Sequence, residues 1–119
     1  MDYRKLNNDE EFLINFLIEK ASLNVPHDWK DYLLVQQMDD GGMGSLTLFP
    51  NGIDDSNRLL GKKISDCSFL DADNTKVIAS LNLDKKGQLF ELDIWKTDFS
   101  PLIKIPSNIR MFHDVDSSK

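Results

Sequence analysis

The strongest periodic signal lies near the N-terminus, where Phe12, Leu13, Phe16, Leu17 and Ala21 recur at helical spacing and Ile14 with Ile18 widens the stripe. A helix apolar over about half its circumference must lie on something. Asn8, followed three residues later by Glu11, has the spacing of a capping box. Asp9, Glu10 and Glu11 put carboxylates in the first turn, where the helix dipole favours them. Val25-Pro26 ends the pattern, because a residue before proline is driven to extended geometry. His27 to Asp31 then reads as one short turn carrying Trp29.

From Tyr32 onward the helical period gives way to short runs between turn residues, the mark of a sheet. The expected strands are Tyr32 to Met38, Ser45 to Phe49, Lys62 to Phe69, Thr75 to Leu83 and Gln88 to Lys96. Gly41, Gly42 and Gly44 permit positive φ between the first two, which reads as a hairpin with an irregular turn. The link from Pro50 to Gly61, rich in turn formers, is the least ordered interior stretch. Alternation in the last two strands puts Val77, Ala79, Leu81 and Leu83 on one buried face and Phe90, Leu92 and Ile94 on another. The opposite side of the fifth strand presents Leu89, Glu91, Asp93 and Trp95. Two prolines in PLIKIP favour an extended segment hugging an edge over a central strand. Residues from His113 to Lys119 read as a frayed tail. The fold expected is α+β, an N-terminal amphipathic helix on a mainly antiparallel meander of about five strands, in one domain spanning residues 1–119.

Composition narrows the function. At 119 residues, with 40% hydrophobic and 29% charged side chains, the chain resembles an ordinary folded domain able to bury about two thirds of its unfolded surface without disulfides or a structural metal. Twenty Asp and Glu against fourteen Lys and Arg give a net charge of -6, which opposes direct binding to nucleic acid and to anionic membranes. Cys67 is the single cysteine, so no intramolecular disulfide forms, and a reducing cytoplasm is the expected compartment. The N-terminus lacks the layout of a signal peptide, and no apolar run approaches the ~20 residues of a membrane span.

Candidate chemistry is sparse. His27 sits in a connection and His113 in the tail, and neither is placed to serve as a general base. Asp71-Ala72-Asp73-Asn74 begins like a calcium loop, but Lys76 stands where the sixth-position glycine belongs and Asn82 where the twelfth-position glutamate belongs. No metal and no cofactor are expected. Cys67 reads as a small core residue with no basic neighbour to activate it. Between Asp39 and Asp98 there are eleven carboxylates against seven basic residues, mostly in turns. Turn chemistry accounts for most of them. Glu91 and Asp93 differ: two apart on a strand, their side chains share a face about 6 to 7 Å apart along the chain. With Trp95 beside them, and with Asp39 and Asp40 on the hairpin turn, they make the candidate partner-binding set, carboxylates for orientation and an indole for anchorage. The alternatives are a small ligand-binding or hydrolase-like domain using the Asp39-Asp40-Gly41-Gly42 turn with the Glu91/Asp93 pair, or a structural adaptor.

Two strings sharpen that reading. MDDGGMGSL, Met38 to Leu46, and GQLFELDIWKTDFSPLIKIP, Gly87 to Pro106, together resemble a small bacterial domain family of unknown function. The second string is also similar to the closing segment of immunity proteins from contact-dependent growth inhibition and related polymorphic toxin systems. That resemblance implies a binding protein without enzymatic activity, a cytosolic antidote that occludes the C-terminal toxin domain of its cognate partner. A nuclease toxin, with a basic groove for phosphates, is one target that an acidic domain suits.

Overall fold

The structure, a computed structural model, describes residues 2–50 and 57–115. Its elements are β1 (Tyr3–Arg4), α1 (Asn8–Lys20), α2 (Trp29–Tyr32), β2 (Leu34–Gln37), β3 (Leu46–Phe49), β4 (Leu60–Leu70), β5 (Lys76–Asp84), β6 (Leu89–Lys96) and a 3-10 turn (Ile109–Met111). The architecture is α+β, with α1 packed on a six-stranded antiparallel sheet.

The capping box of α1 falls one residue earlier than the Asn8/Glu11 pair. The Asn7 side chain accepts the Glu10 N–H at 2.8 Å, and the Glu10 carboxylate accepts the Asn7 N–H at 3.0 Å. Both frames satisfy the spacing. Arg4 favours the earlier one by donating two bonds of 2.8 Å to the same, buried Glu10 carboxylate, which ties β1 to the helix start. Leu13, Ile14, Leu17 and Ile18 form the centre of the buried stripe, while Phe12 and Phe16 lie on its flank. Their rings meet Phe112 at 5.7 and 4.9 Å, and Phe112 in turn meets Phe69.

The strand order is β1-β2-β3-β6-β5-β4, not a simple meander. Strand β6 pairs with both β3 and β5, placing the apolar Leu92 and Ile94 in the middle of the sheet, and the connection after β3 passes to the far edge. Part of that connection, 51–56, lies outside the described residues, and of the stretch from Pro50 to Gly61 expected to be least ordered, Leu60 and Gly61 open β4. Arg58 anchors its far end, donating to Asp84 at 2.9 Å, to the Leu48 carbonyl at 2.5 Å and to the Leu89 carbonyl. The two-residue β1 escaped the sequence pattern because it is too short to show alternation.

Val77, Ala79, Leu81 and Leu83 are buried as expected. The opening of β6 departs from expectation. Leu83 pairs with Leu89 and Asn82 with Glu91, so a bulge leaves Phe90 as the extra residue. The bulge shifts the side-chain alternation: Leu89 joins the core, and Phe90 is half-buried with the Arg58 guanidinium 4.8 Å above its ring. From Glu91 onward the alternation follows the sequence reading.

Residues 101–106 form an extended strap outside the sheet ladder. The Leu102 N–H donates to the Gly42 carbonyl at 3.0 Å, and the Ile103 and Lys104 N–H groups donate to the Asp71 carboxylate at 2.8 and 2.9 Å. Gly44, at φ +102, lets the strap in: a Cβ there would stand 3.2 Å from Leu102 and 3.4 Å from Ile94. His113 is not loose. Its backbone N–H and carbonyl exchange bonds of 2.8 Å with Ser68 on the edge of β4. The remainder of the tail, 116–119, lies outside the described residues.

Candidate functional site

Successive residues of β6 point to opposite faces of the sheet. Leu92, Ile94 and Lys96 turn inward and are buried, whereas Glu91, Asp93 and Trp95 turn outward. Cross-strand pairing sets their surroundings: Glu91 lies between Thr47 and Asn82, Asp93 opposite Ser80, and Trp95 opposite Ile78. The helices and the strap contribute their apolar residues to the core on the other side. On β6 the outer face is therefore a polar row that ends in an indole.

Glu91 and Asp93 are half-buried, and both hold their protons more tightly than free carboxyls do. For Glu91 the cause is burial, then the Asp93 charge, with the Arg58 charge opposing. Burial likewise raises Asp93, against bonds from Asn82, whose amide donates at 2.6 Å, and from Glu91. The two carboxyls act on one another in opposite senses, Asp93 raising Glu91 and Glu91 lowering Asp93. Among the described residues no ion pair takes in either carboxylate. Asp40 adds its charge to the neighbourhood of Asp93, but its own carboxylate has a structural task, accepting the Met43 N–H at 3.1 Å and the Ser45 N–H at 2.9 Å across the hairpin turn. Asp39 is exposed on the same turn. Thus Asp40, Glu91 and Asp93 share one electrostatic neighbourhood, Trp95 closes its row, and Asp39 stays on the turn.

Trp95 is 45% exposed, and its ring lies 6.2 Å from that of Phe99, which is 68% exposed. The sequence reading missed Phe99 as a site residue. Its signal was present: Asp98 accepts both the N–H and the hydroxyl of Ser100, and this two-residue spacing marks a tight turn with residue 99 at its tip. Phe99 has φ +64, a left-handed conformation that is unfavourable for a residue with a Cβ, and its N–H bonds the Lys96 carbonyl at 2.8 Å.

A second charged group sits at the last residue of β6, next to Trp95. The Lys96 ammonium, fully buried, donates to Asp71 and Asp73 at 2.8 Å each and to the Pro101 carbonyl at 3.1 Å. Burial works against the charges of Lys96 and Asp71, yet pairing wins. The Lys96 pKa is raised, and the ammonium together with the N–H groups of Ile103, Lys104 and Ala72 holds the Asp71 carboxyl down at about 2. The segment that begins like a calcium loop holds an ammonium instead. A lysine at an inward position of β6 was the sequence signal for this network.

Elsewhere, burial pushes the Cys67 thiol up to about 12, too high for a thiolate nucleophile at neutral pH. His27 and His113 are exposed. Among the described residues no three His, Cys, Asp or Glu side chains are grouped to hold a metal ion, and no helix is long and apolar enough to cross a membrane. A cleft of about 290 Å³ lined by Val25, Trp29, Tyr32 and Leu89, and a groove of about 420 Å³ along Phe12 and Phe16, both lie away from the Glu91/Asp93 pair.

Comparison with curated proteins and with solved structures returned no match. A family profile does match, over residues 3–106, from β1 to the end of the strap, leaving out the 3-10 turn and the segment paired with Ser68. The chain belongs to the family described as the domain of unknown function DUF6984.

Proposed function

We propose that this protein is an immunity-type binding module that neutralises a cognate bacterial toxin domain in the cytoplasm by forming a tight complex with it, without catalysing a reaction of its own. One observation carries the reading. The outer face of the sheet displays Trp95 and Phe99, two large aromatic side chains, beside the carboxylates Glu91 and Asp93, which enter no ion pair among the described residues. Exposed aromatics flanked by charge are the usual anchors of a protein interface. The acidic net charge supports fast capture of a basic partner, and ring burial supports slow release. The likeness of Gly87 to Pro106 to the closing segment of immunity proteins supplies the partner class, a secreted toxin's C-terminal domain.

The test is co-expression with the C-terminal domain of a toxin encoded beside this gene, scoring growth and co-elution. Rescue of growth with a stable complex is expected. Killing with no complex would end the antidote reading.

A further inference from the structure

The acids and rings of the outer face also specify the chemistry of what they bind, and the inference rests on the reading of that face as the docking surface. We propose that the face takes a basic segment of a partner protein through an arginine side chain, its guanidinium stacked on the Trp95 indole beside Phe99 and its N–H groups directed to Asp93, with the Glu91 charge one step behind.

Three features of the outer face converge on a cation with a flat surface. First, the two rings form an open pair, tilted 51° to one another, which leaves ring surface facing solvent. Second, Asp93 and Glu91, one and two steps along the same face of β6 from Trp95, enter no ion pair among the described residues. Lys63, on the outer face of β4, is taken by Asp66 at 2.7 Å, Arg58 is bound to Asp84 and to two carbonyls, and Lys96 points inward to Asp71 and Asp73. A cation arriving at Asp93 relieves a like-charge contact that the free chain must tolerate, which is charge complementarity supplied by the fold itself. Third, Phe99 holds a left-handed backbone while exposing most of its ring. A cost of that kind persists where the displayed side chain has a use.

Arginine suits this site better than lysine. A guanidinium is planar, weakly hydrated and able to stack on an indole while its edge donates to a carboxylate, whereas an ammonium is a strongly hydrated point charge. A nucleic acid could stack its bases on the same rings, but its phosphates would meet Asp93, Glu91 and Asp40, a charge clash that argues against it.

The experiment follows the Trp95 indole N–H by NMR in the full chain, assigned by its loss in Trp95→Phe so that Trp29 is not mistaken for it. The probes are the capped tripeptide Ac-Gly-Arg-Gly-NH2 and the same peptide with citrulline, the neutral isostere of arginine, each titrated to about 50 mM at low salt. The arginine peptide is expected to half-saturate the Trp95 shift at a concentration at least about threefold lower than the citrulline peptide. Glu91→Gln with Asp93→Asn, in a chain whose other resonances stay in place, is expected to erase that advantage. Equal response to the two peptides, no response at Trp95, or a shift confined to Trp29 would each overturn the proposal. So would a thymidine oligonucleotide that moves Trp95 more strongly than the arginine peptide. Arginine preference without toxin capture removes the antidote role and leaves this inference standing; toxin capture without arginine preference does the reverse.

Discussion

Two groups of charge are carried by the same strand, β6, and are built on opposite principles. Inside, Lys96, Asp71 and Asp73 are matched, and the Asp71 carboxyl is held far below its ordinary range. Outside, Glu91 and Asp93 lie side by side in no ion pair among the described residues, and their carboxyls are raised. The two groups are neighbours on β6, since Trp95 looks out where Lys96 looks in. A buried charge with its partners present is tolerated by the fold, and losing one partner is what destabilises it. A half-buried charge left without one works against the isolated fold, and it becomes favourable only when something else supplies the partner.

The largest test of this contrast is to break the inner group. Asp71→Ala leaves the Lys96 ammonium buried with a single carboxylate, Asp73, and strips the strap of the acceptor for two of its N–H groups. The melting temperature is expected to fall by on the order of 10 °C, read by circular dichroism. A fall of less than about 2 °C would mean that the strap does not depend on this clip.

How far the sequence disclosed these two groups depends on the range of the interactions that make them. Alternation is local, so the outward row of Glu91, Asp93 and Trp95 and the inward row of Leu92 and Ile94 could be read from β6 alone. The helix and the antiparallel class were legible for the same reason. The bulge at Phe90 was not, because it is defined by the register of a neighbouring strand, and one unpaired residue exchanged the roles of Leu89 and Phe90. The strand order was hidden likewise, since nothing local places β6 beside β3. Nor did Asp71-Ala72-Asp73-Asn74 disclose that its cation would be Lys96, more than twenty residues along the chain.

Acid titration separates the two groups by sign. A carboxyl whose folded pKa is raised binds its proton more tightly in the native state than in the unfolded chain, so stability is gained as pH falls through the folded value. Glu91 and Asp93 therefore make the wild type more stable as pH falls through their raised folded values toward the ordinary 4.5 and 3.8. Asp71 acts in the opposite direction: its contribution is complete above its ordinary value of 3.8 and is lost as pH falls toward about 2. Thermal melts across this range are expected to rise and then drop. Glu91→Gln, which removes the like charge beside Asp93, is expected to raise the melting temperature at pH 7 by about 2–4 °C and to flatten the upper limb while leaving the lower one unchanged. An upper limb identical in the variant would show that the pair is not strained at neutral pH.

The finest test concerns the aromatic side of the outer face. Phe99→Gly removes a ring that is mostly in water and frees a backbone that stands at φ +64. A left-handed conformation costs a residue with a Cβ about 1–2 kcal/mol, while glycine gives back about 0.5–1 kcal/mol through its freer unfolded chain. Relief of strain wins, and the melting temperature is expected to rise by about 2–4 °C. Binding of the arginine peptide should weaken in the same variant, because the wall beside Trp95 is gone. Stability and docking then move in opposite directions, as they must if the chain bears strain in order to display the ring. If the variant melts lower than the wild type, contact with Trp95 is worth more than the strain, and Phe99 belongs with the satisfied part of the molecule.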